Sequence, residues 1–342
     1  MGFYCNASPV TNEVDVNATS FKHVNSGLSV VNRNGLPVGS LWSSVGCDGD
    51  VGLGARAMNL KMHAKDLPEY GLRIITPADP SFDGRARVLL KGRDGGDSTE
   101  SLKPFSIIIE NTGGRMAVAY MLQWCFTKEG GQNDCYRHGY TSPGALMEGL
   151  PPGYEAADDR SHNISPNRAR LIRFVSPDGS SIFRLPVSRE EAEQIRAGAS
   201  PDGESLRRRH LAELAKYTDV TVSLDGVFFD DGTFVGLDAT GFFAIVKAEA
   251  DARHDLLNEI ALGLTQAGKS KEEVFRHVER IAEAPAPDVG SDSAPTDFYN
   301  FYKKQYAAQV LRMRQAFGDE RGLAATLQPL RKPWIKLRKK VE

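Results

Sequence analysis

The stretch "FSIIIENTGGRMAVAYMLQWCF", Phe105 to Phe126, constrains the fold more than any other part of the sequence. Both arms repeat with period two, the spacing at which side chains on an extended chain return to one face. In the first arm Phe105, Ile107 and Ile109 share a face, and Ser106, Ile108 and Glu110 share the other. In the second, Val118, Tyr120, Leu122, Trp124 and Phe126 alternate with Ala117, Ala119, Met121, Gln123 and Cys125. Both arms are expected as strands with at least one buried face. Asn111 to Gly114 lies between them and supplies residues that tolerate positive φ, so a hairpin turn is expected there. A slip of one residue would turn every large side chain outward, so that turn would set the register.

Other short runs have the same look: "LRIIT" (72–76), "RARVLL" (85–90) and "YRHGY" (136–140). "RARLIRFV" (168–175) and "SIFRLPV" (181–187) pair through "SPDGS". The run 219–236 carries two Asp-Gly steps, at 225–226 and 231–232, and reads as hairpin turns. Strands this dense, punctuated by Gly, Pro and Asp, favour a sandwich or barrel over a parallel sheet. Two helical segments interrupt them. "SREEAEQIRAG" carries a capping box, Ser188 with Glu191, and "GESLRRRHLAELAKY" (203–217) follows. In the second, "RRRH" (207–210) is expected as a solvated face.

After Gly236 the period becomes helical. Phe242, Val246, Ala250, Leu257, Ile260 and Leu264 form one stripe. Ser270 with Glu273 predicts a second capping box, followed by the stripe Val274, Val278 and Ile281. "PAPDVGSDSAP" (285–295) reads as a linker. A last helix over 297–317 puts Phe298, Tyr302, Tyr306, Val310, Met313 and Phe317 on one face and stops at Gly318.

Three pieces, 105–124, "ISPNRARLI" (164–172) and "VSLDGVFFDDGTFVG" (222–236), resemble bacterial immunoglobulin-like β-sandwich domains of poorly characterised proteins. The resemblance implies a fold and no activity. The expected fold class is an all-β core plus α. It consists of an immunoglobulin-like antiparallel β-sandwich over 65–237, a helical insertion near 188–217, and a helical C-terminal segment over 238–342 with its linker at 285–295. Residues 1–64, with seven Asn and little periodicity, are expected to be irregular. Within them "GCDGDVGLGARA" lacks the order of a phosphate loop.

Bulk properties narrow the function. The formal net charge of −2 gives the whole molecule no reason to seek nucleic acid, so specific nucleic-acid binding is not expected. The charge is uneven, however. Residues 301–342 hold 11 Lys/Arg against 3 Asp/Glu, a local net of +8. No apolar run approaches the roughly 20 residues that span a bilayer. The first residues show no export signal, so the chain is expected in the cytoplasm if Met1 is the true start. A signal upstream would make it extracytoplasmic.

Candidate chemistry is sparse. Cys125 and Cys135 flank one loop and are a candidate disulfide in an oxidising compartment. Asp134, Cys135 and His138 form the densest group of metal-ligand side chains, but a structural zinc wants four ligands in short paired spacings. The carboxylates Asp225, Asp230, Asp231 and Asp238 fail calcium-loop spacing and suit turns. The tail from Arg331 and Lys332 through Trp334, Lys336, Arg338, Lys339 and Lys340 has the composition of a docking arm for an anionic surface. No cofactor is expected. The leading expectation is a non-catalytic interaction or structural protein with an unidentified protein partner. A hydrolase or metal-dependent enzyme, using the Asp134 loop or the 225–238 carboxylates, is the alternative.

Overall fold

The computed structural model describes residues 22–23, 28–29, 60–90, 106–148, 163–174, 203–285, 287, 289, 293–331 and 334–340. The Ser188 capping box, the run 181–187, the glycine-rich segment 46–57, Cys5 and Cys47 lie outside them. The chain divides into two compact units, one of residues 1–140 and 155–224, the other of 141–154 and 225–342. This division differs from a boundary at 237/238. It falls inside a strand, and residues 141–154 go with the helical unit.

A two-residue ladder pairs β1 (Lys22–His23) with β2 (Leu28–Ser29). The first unit further contains β3 (Lys61–Lys65), β4 (Leu72–Ile75), helix α1 (Phe82–Leu90), β5 (Ser106–Asn111), β6 (Ala117–Lys128) and β7 (Asn133–Thr141), whose last residue belongs to the second unit. β8 (Arg168–Arg173), α3 (Gly203–Leu214) and the first part of β9 (Tyr217–Phe229) complete it; the short helix α2 (Pro143–Glu148) belongs to the second unit. β3 occupies part of the segment expected to be irregular.

The expected β5–β6 hairpin does not form. β5 pairs antiparallel with β4 and β8, whereas β6 lies between β9 and β7 in another sheet. Neither Gly113 nor Gly114 takes a positive φ. The chain crosses between sheets on the side chain of Asn111, which is fully buried. Its amide donates to Arg115 O at 2.7 Å and Ile164 O at 2.8 Å, and its carbonyl accepts from Gly113 N at 3.0 Å. Alternation thus identified both strands, but it carries no information about which neighbour each one pairs with.

β6 is buried on both faces at its start, from Ala117 to Leu122, and on one face at its end. Trp124 and Phe126 both pack on Phe174, with ring centroids 4.7 and 5.8 Å away. The sheet that contains β9 is mixed, because β3 runs parallel to β9, whereas the β4–β5–β8 sheet is antiparallel. "RARVLL", expected as a strand, is the end of α1. Phe82 and Ala86, four residues apart, pack on Ile75 and Ile108, and Arg85 pairs with Glu110. Asp79 starts the helix by accepting from Ser81 N at 2.8 Å.

The second unit starts within β9. Asp225-Gly226 is not a turn; the strand runs straight through it to Phe229. Gly226 is required because a Cβ would lie 2.4 Å from the Phe234 ring. The turn comes at Asp231-Gly232, where Gly232 N donates to Phe229 O at 2.9 Å, and it leads into β10 (Thr233–Val235). Three helices follow: α4 (Phe242–Thr265), α5 (Lys271–Glu283) and α6 (Pro295–Leu327). Their shared core includes Leu256, Ile260, Val274, Phe275, Val278, Val310 and Leu323. The Ser270 capping box is present, with Ser270 Oγ accepting from Glu273 N and Glu273 accepting from Ser270 N. Gly318 breaks α6 as expected (φ 77°), but a second helical piece continues beyond it. Arg314 secures the break: it bonds Asp319, Glu272 and Glu279 and lies 4.2 Å over the Phe275 ring. Phe317, expected in the apolar stripe, is 55% exposed.

Candidate functional site

The β6–β7 loop closes through Lys128 N to Gln132 O at 2.8 Å, with Gly130 and Gly131 both at positive φ. Three residues back from Lys128 and three on from Gln132 are Cys125 and Cys135, which the ladder therefore sets opposite each other. They form a disulfide, with Cα atoms 4.1 Å apart. That spacing fits the narrow, non-hydrogen-bonded position of an antiparallel ladder, about 4.5 Å. Both cysteines are half-buried.

The other β7 candidates do not join them. Along a strand, Asp134 and His138 project to the face opposite Cys135 and sit about 13 Å apart. Asp134 accepts from Lys128 and from the Tyr217 hydroxyl, both at 2.8 Å. Burial raises the Asp134 carboxyl, but those two hydrogen bonds outweigh it and the net shift is downward. Tyr217 is pushed far up, first by burial and then by Asp134. His138 is half-buried as a residue, yet its Nδ1 is enclosed, and burial lowers its pKa to about 4. Among the described residues no three His, Cys, Asp or Glu are grouped to hold a metal.

The acidic group is part of the framework. Asp225 is 3% exposed. Its Oδ1 accepts from Ala239 N at 2.8 Å, and its Oδ2 accepts from Thr240 N at 2.9 Å and Thr240 Oγ1 at 2.5 Å. Asp231 accepts from Thr233 N at 2.9 Å inside its turn. Asp238 accepts from Phe243 N at 3.0 Å at the start of α4, and its second oxygen takes Lys339 Nζ at 2.7 Å. These three carboxylates are spent on backbone N–H groups, the Thr240 hydroxyl and one lysine.

The tail is not a loose arm over 334–340. Ile335 N donates to Met147 O, and Arg338 N to Gly232 O, both at 3.0 Å. β11 (Arg338–Lys339) pairs parallel with β10. Trp334 meets the His254 ring edge-on at 4.8 Å, and Lys339 lies over Phe234 as well as on Asp238. Gly232 must be glycine here, since a Cβ would meet Ile335 and Lys336 at 2.6 Å. Lys336, Arg338, Lys339 and Lys340 are exposed, and Lys339 keeps its pairing with Asp238. The side chains of Arg331 and Lys332 lie outside the described residues. So do those of Arg207 and Arg208, while His210 of the same helix is buried.

One group escaped the sequence reading. Glu249, on α4, is 3% exposed. Its Oε1 accepts from Tyr306 Oη at 2.9 Å, and its Oε2 has no partner in bonding geometry. Burial raises its pKa; Tyr306, Arg253 and the nearby Thr141 hydroxyl oppose that shift without reversing it. The signal was present: Glu249 stands three residues after Val246, inside the apolar stripe.

No protein-family model, no curated protein and no solved structure matches this chain.

Proposed function

We propose that this chain is a non-catalytic interaction protein whose C-terminal strand β11 meets an anionic lipid surface. One observation carries the reading: pairing with β10 holds Arg338 and Lys339 in extended form, and the cations Lys336, Arg338, Lys339 and Lys340 are all exposed along it, with Lys336 and Arg338 two residues apart. Such a row is pre-organised, so little conformational entropy is lost when it meets a charged surface. Support also comes from the carboxylates and thiols that could have done chemistry. Asp225, Asp231, Asp238 and Asp134 are bonded to their own chain, and Cys125 to Cys135. The scaffold reading is a β-sandwich of immunoglobulin-like character. Consecutive strands β5 and β6 in different sheets support it. The parallel β3–β9 pair and α1 on the β4–β5–β8 sheet depart from the immunoglobulin pattern.

Co-sedimentation with phosphatidylserine-containing vesicles tests the reading. Each basic residue near such a surface contributes about 1 kcal/mol, so Lys336→Glu with Arg338→Glu weakens binding by at least about 30-fold. Wild-type binding also falls with added salt and is lost on neutral vesicles. Equal binding of wild type and variant sinks the proposal.

A further inference from the structure

We infer that the Cys125–Cys135 disulfide is a thiol-exchange site, opened by a dithiol reductant while the sheet around it stays folded. The inference does not depend on the C-terminal strand. It rests first on access. Both cysteines are half-buried on the odd-numbered face of β6 and β7. Their same-face neighbours Gln123, Thr127, Asn133 and Arg137 are polar and half-buried or exposed, so a small thiolate can approach a sulfur.

The second support is that the pair is held in place without its covalent bond. The backbone bonds of the Lys128–Gln132 loop set the register. On the opposite face Lys128 pairs with Asp134 at 2.8 Å, Phe126 packs on Tyr136 and Tyr120 on Tyr140, both at 5.8 Å. These contacts survive reduction. The two thiols then remain facing each other across one ladder position, which favours re-closure over escape. An accessible bond between strands that are already paired is the kind that exchanges, whereas enclosed structural disulfides resist reduction.

The polarity follows from charge. Arg137 stands two residues beyond Cys135 on the same face, and a guanidinium there favours Cys135 as the departing thiolate. One thiolate of the reductant therefore attacks Cys125 Sγ. The S–S bond breaks, its electron pair leaves on Cys135 Sγ, and that sulfur takes up a proton. The second thiol of the reductant then attacks the mixed disulfide and releases Cys125 as a thiol. Two electrons pass from the dithiol to the protein, and the reductant leaves as a cyclic disulfide.

The test uses the full-length native protein. Incubation with millimolar dithiothreitol, followed by a neutral maleimide and peptide mass mapping, labels both Cys125 and Cys135 while near-UV circular dichroism stays native. Oxidised glutathione then restores the disulfide. Labelling that appears only after urea unfolds the protein overturns the inference. With reduced glutathione as a monothiol probe, the trapped adduct is on Cys125; an adduct on Cys135 overturns the assigned polarity. Arg137→Gln slows adduct formation about two- to threefold through the poorer leaving group.

Discussion

Replacing Asp225 with Ala separates a carboxylate that builds the fold from one that serves a reaction. The wild-type side chain is 3% exposed and accepts three hydrogen bonds, two of them from backbone N–H groups of Ala239 and Thr240. Those residues lie in a loop that Asp225 also holds with its own carbonyl, which accepts from Asp238 N at 2.9 Å. The loop carries strain at Asp238, a non-glycine at φ 56°, while Gly236 and Gly241 take their positive φ freely. Alanine leaves two backbone donors and one hydroxyl without an acceptor. Each hydrogen bond to a charged acceptor contributes about 1.5–3 kcal/mol, and the three share one carboxylate, so the loss is about 3–5 kcal/mol. For a urea slope of about 2 kcal/mol per molar, the unfolding midpoint drops by about 2 M. Asparagine keeps one oxygen acceptor and brings a donor amide to a site of donors, so it loses nearly as much as alanine. Urea titration followed by circular dichroism gives the total, and hydrogen exchange at Thr240 N reports the loop directly. Asp225→Ala within about 1 kcal/mol of wild type would refute the reasoning.

Three further perturbations follow from the same accounting. Asn111→Ala strands Arg115 O and Gly113 N, leaves Ile164 O with Ala117 N alone, and costs about 2–4 kcal/mol by chemical denaturation; a near-neutral result would mean the crossover does not depend on that side chain. Glu249→Gln stabilises at pH 7 by about 1 kcal/mol. Wild type loses stability as pH rises above the unfolded Glu value, because the folded carboxyl resists ionisation, so the advantage of the variant vanishes below about pH 4. A pH-independent difference would contradict that assignment. His138, lowered to about 4, binds its proton less readily folded than unfolded. Stability therefore falls by up to about 3 kcal/mol as pH drops from 6.5 towards 4, and His138→Gln removes that part of the acid limb in thermal melts taken across the range.

How much of this was legible depended on how local the determining interaction was. The β6 alternation, the Ser270 box and the Gly318 stop are written within a few residues, and each appears where the spacing puts it. The Cys125–Cys135 pair was legible for the same reason, since a ten-residue separation around a glycine turn brings the two together. Partner choice was not local. β5 has an ideal turn after it, yet pairs with β4 and β8; its consecutive, fully buried Ile107, Ile108 and Ile109 are the pattern of a central strand, which has a partner on each edge. "RARVLL" is too short for its period to decide between helix and strand; Asp79, Pro80 and Ser81 just before the helix were the better signal. Asp225-Gly226 has hairpin-turn composition, but its glycine answers to Phe234, eight residues away.

Composition also overstates chemistry, for a physical reason. Asp and Asn are enriched in active sites because they carry localised charge and accept hydrogen bonds, and buried joints of the backbone need the same properties. What distinguishes the two uses is where the lone pairs go. Asp225 gives both oxygens to N–H and O–H donors of its own loop, and Asp238 divides its oxygens between the start of α4 and Lys339. A ligand or metal would have to displace bonds that close the fold, and the loss of those bonds would be subtracted from its affinity. Glu249 is arranged differently: one oxygen is held by Tyr306 and the other is not bonded, inside a helix packed for apolar contact. Its cost is not repaid by a capped turn or a closed strand. That makes Glu249, rather than the acidic cluster that composition advertises, the carboxylate whose replacement is expected to stabilise the protein.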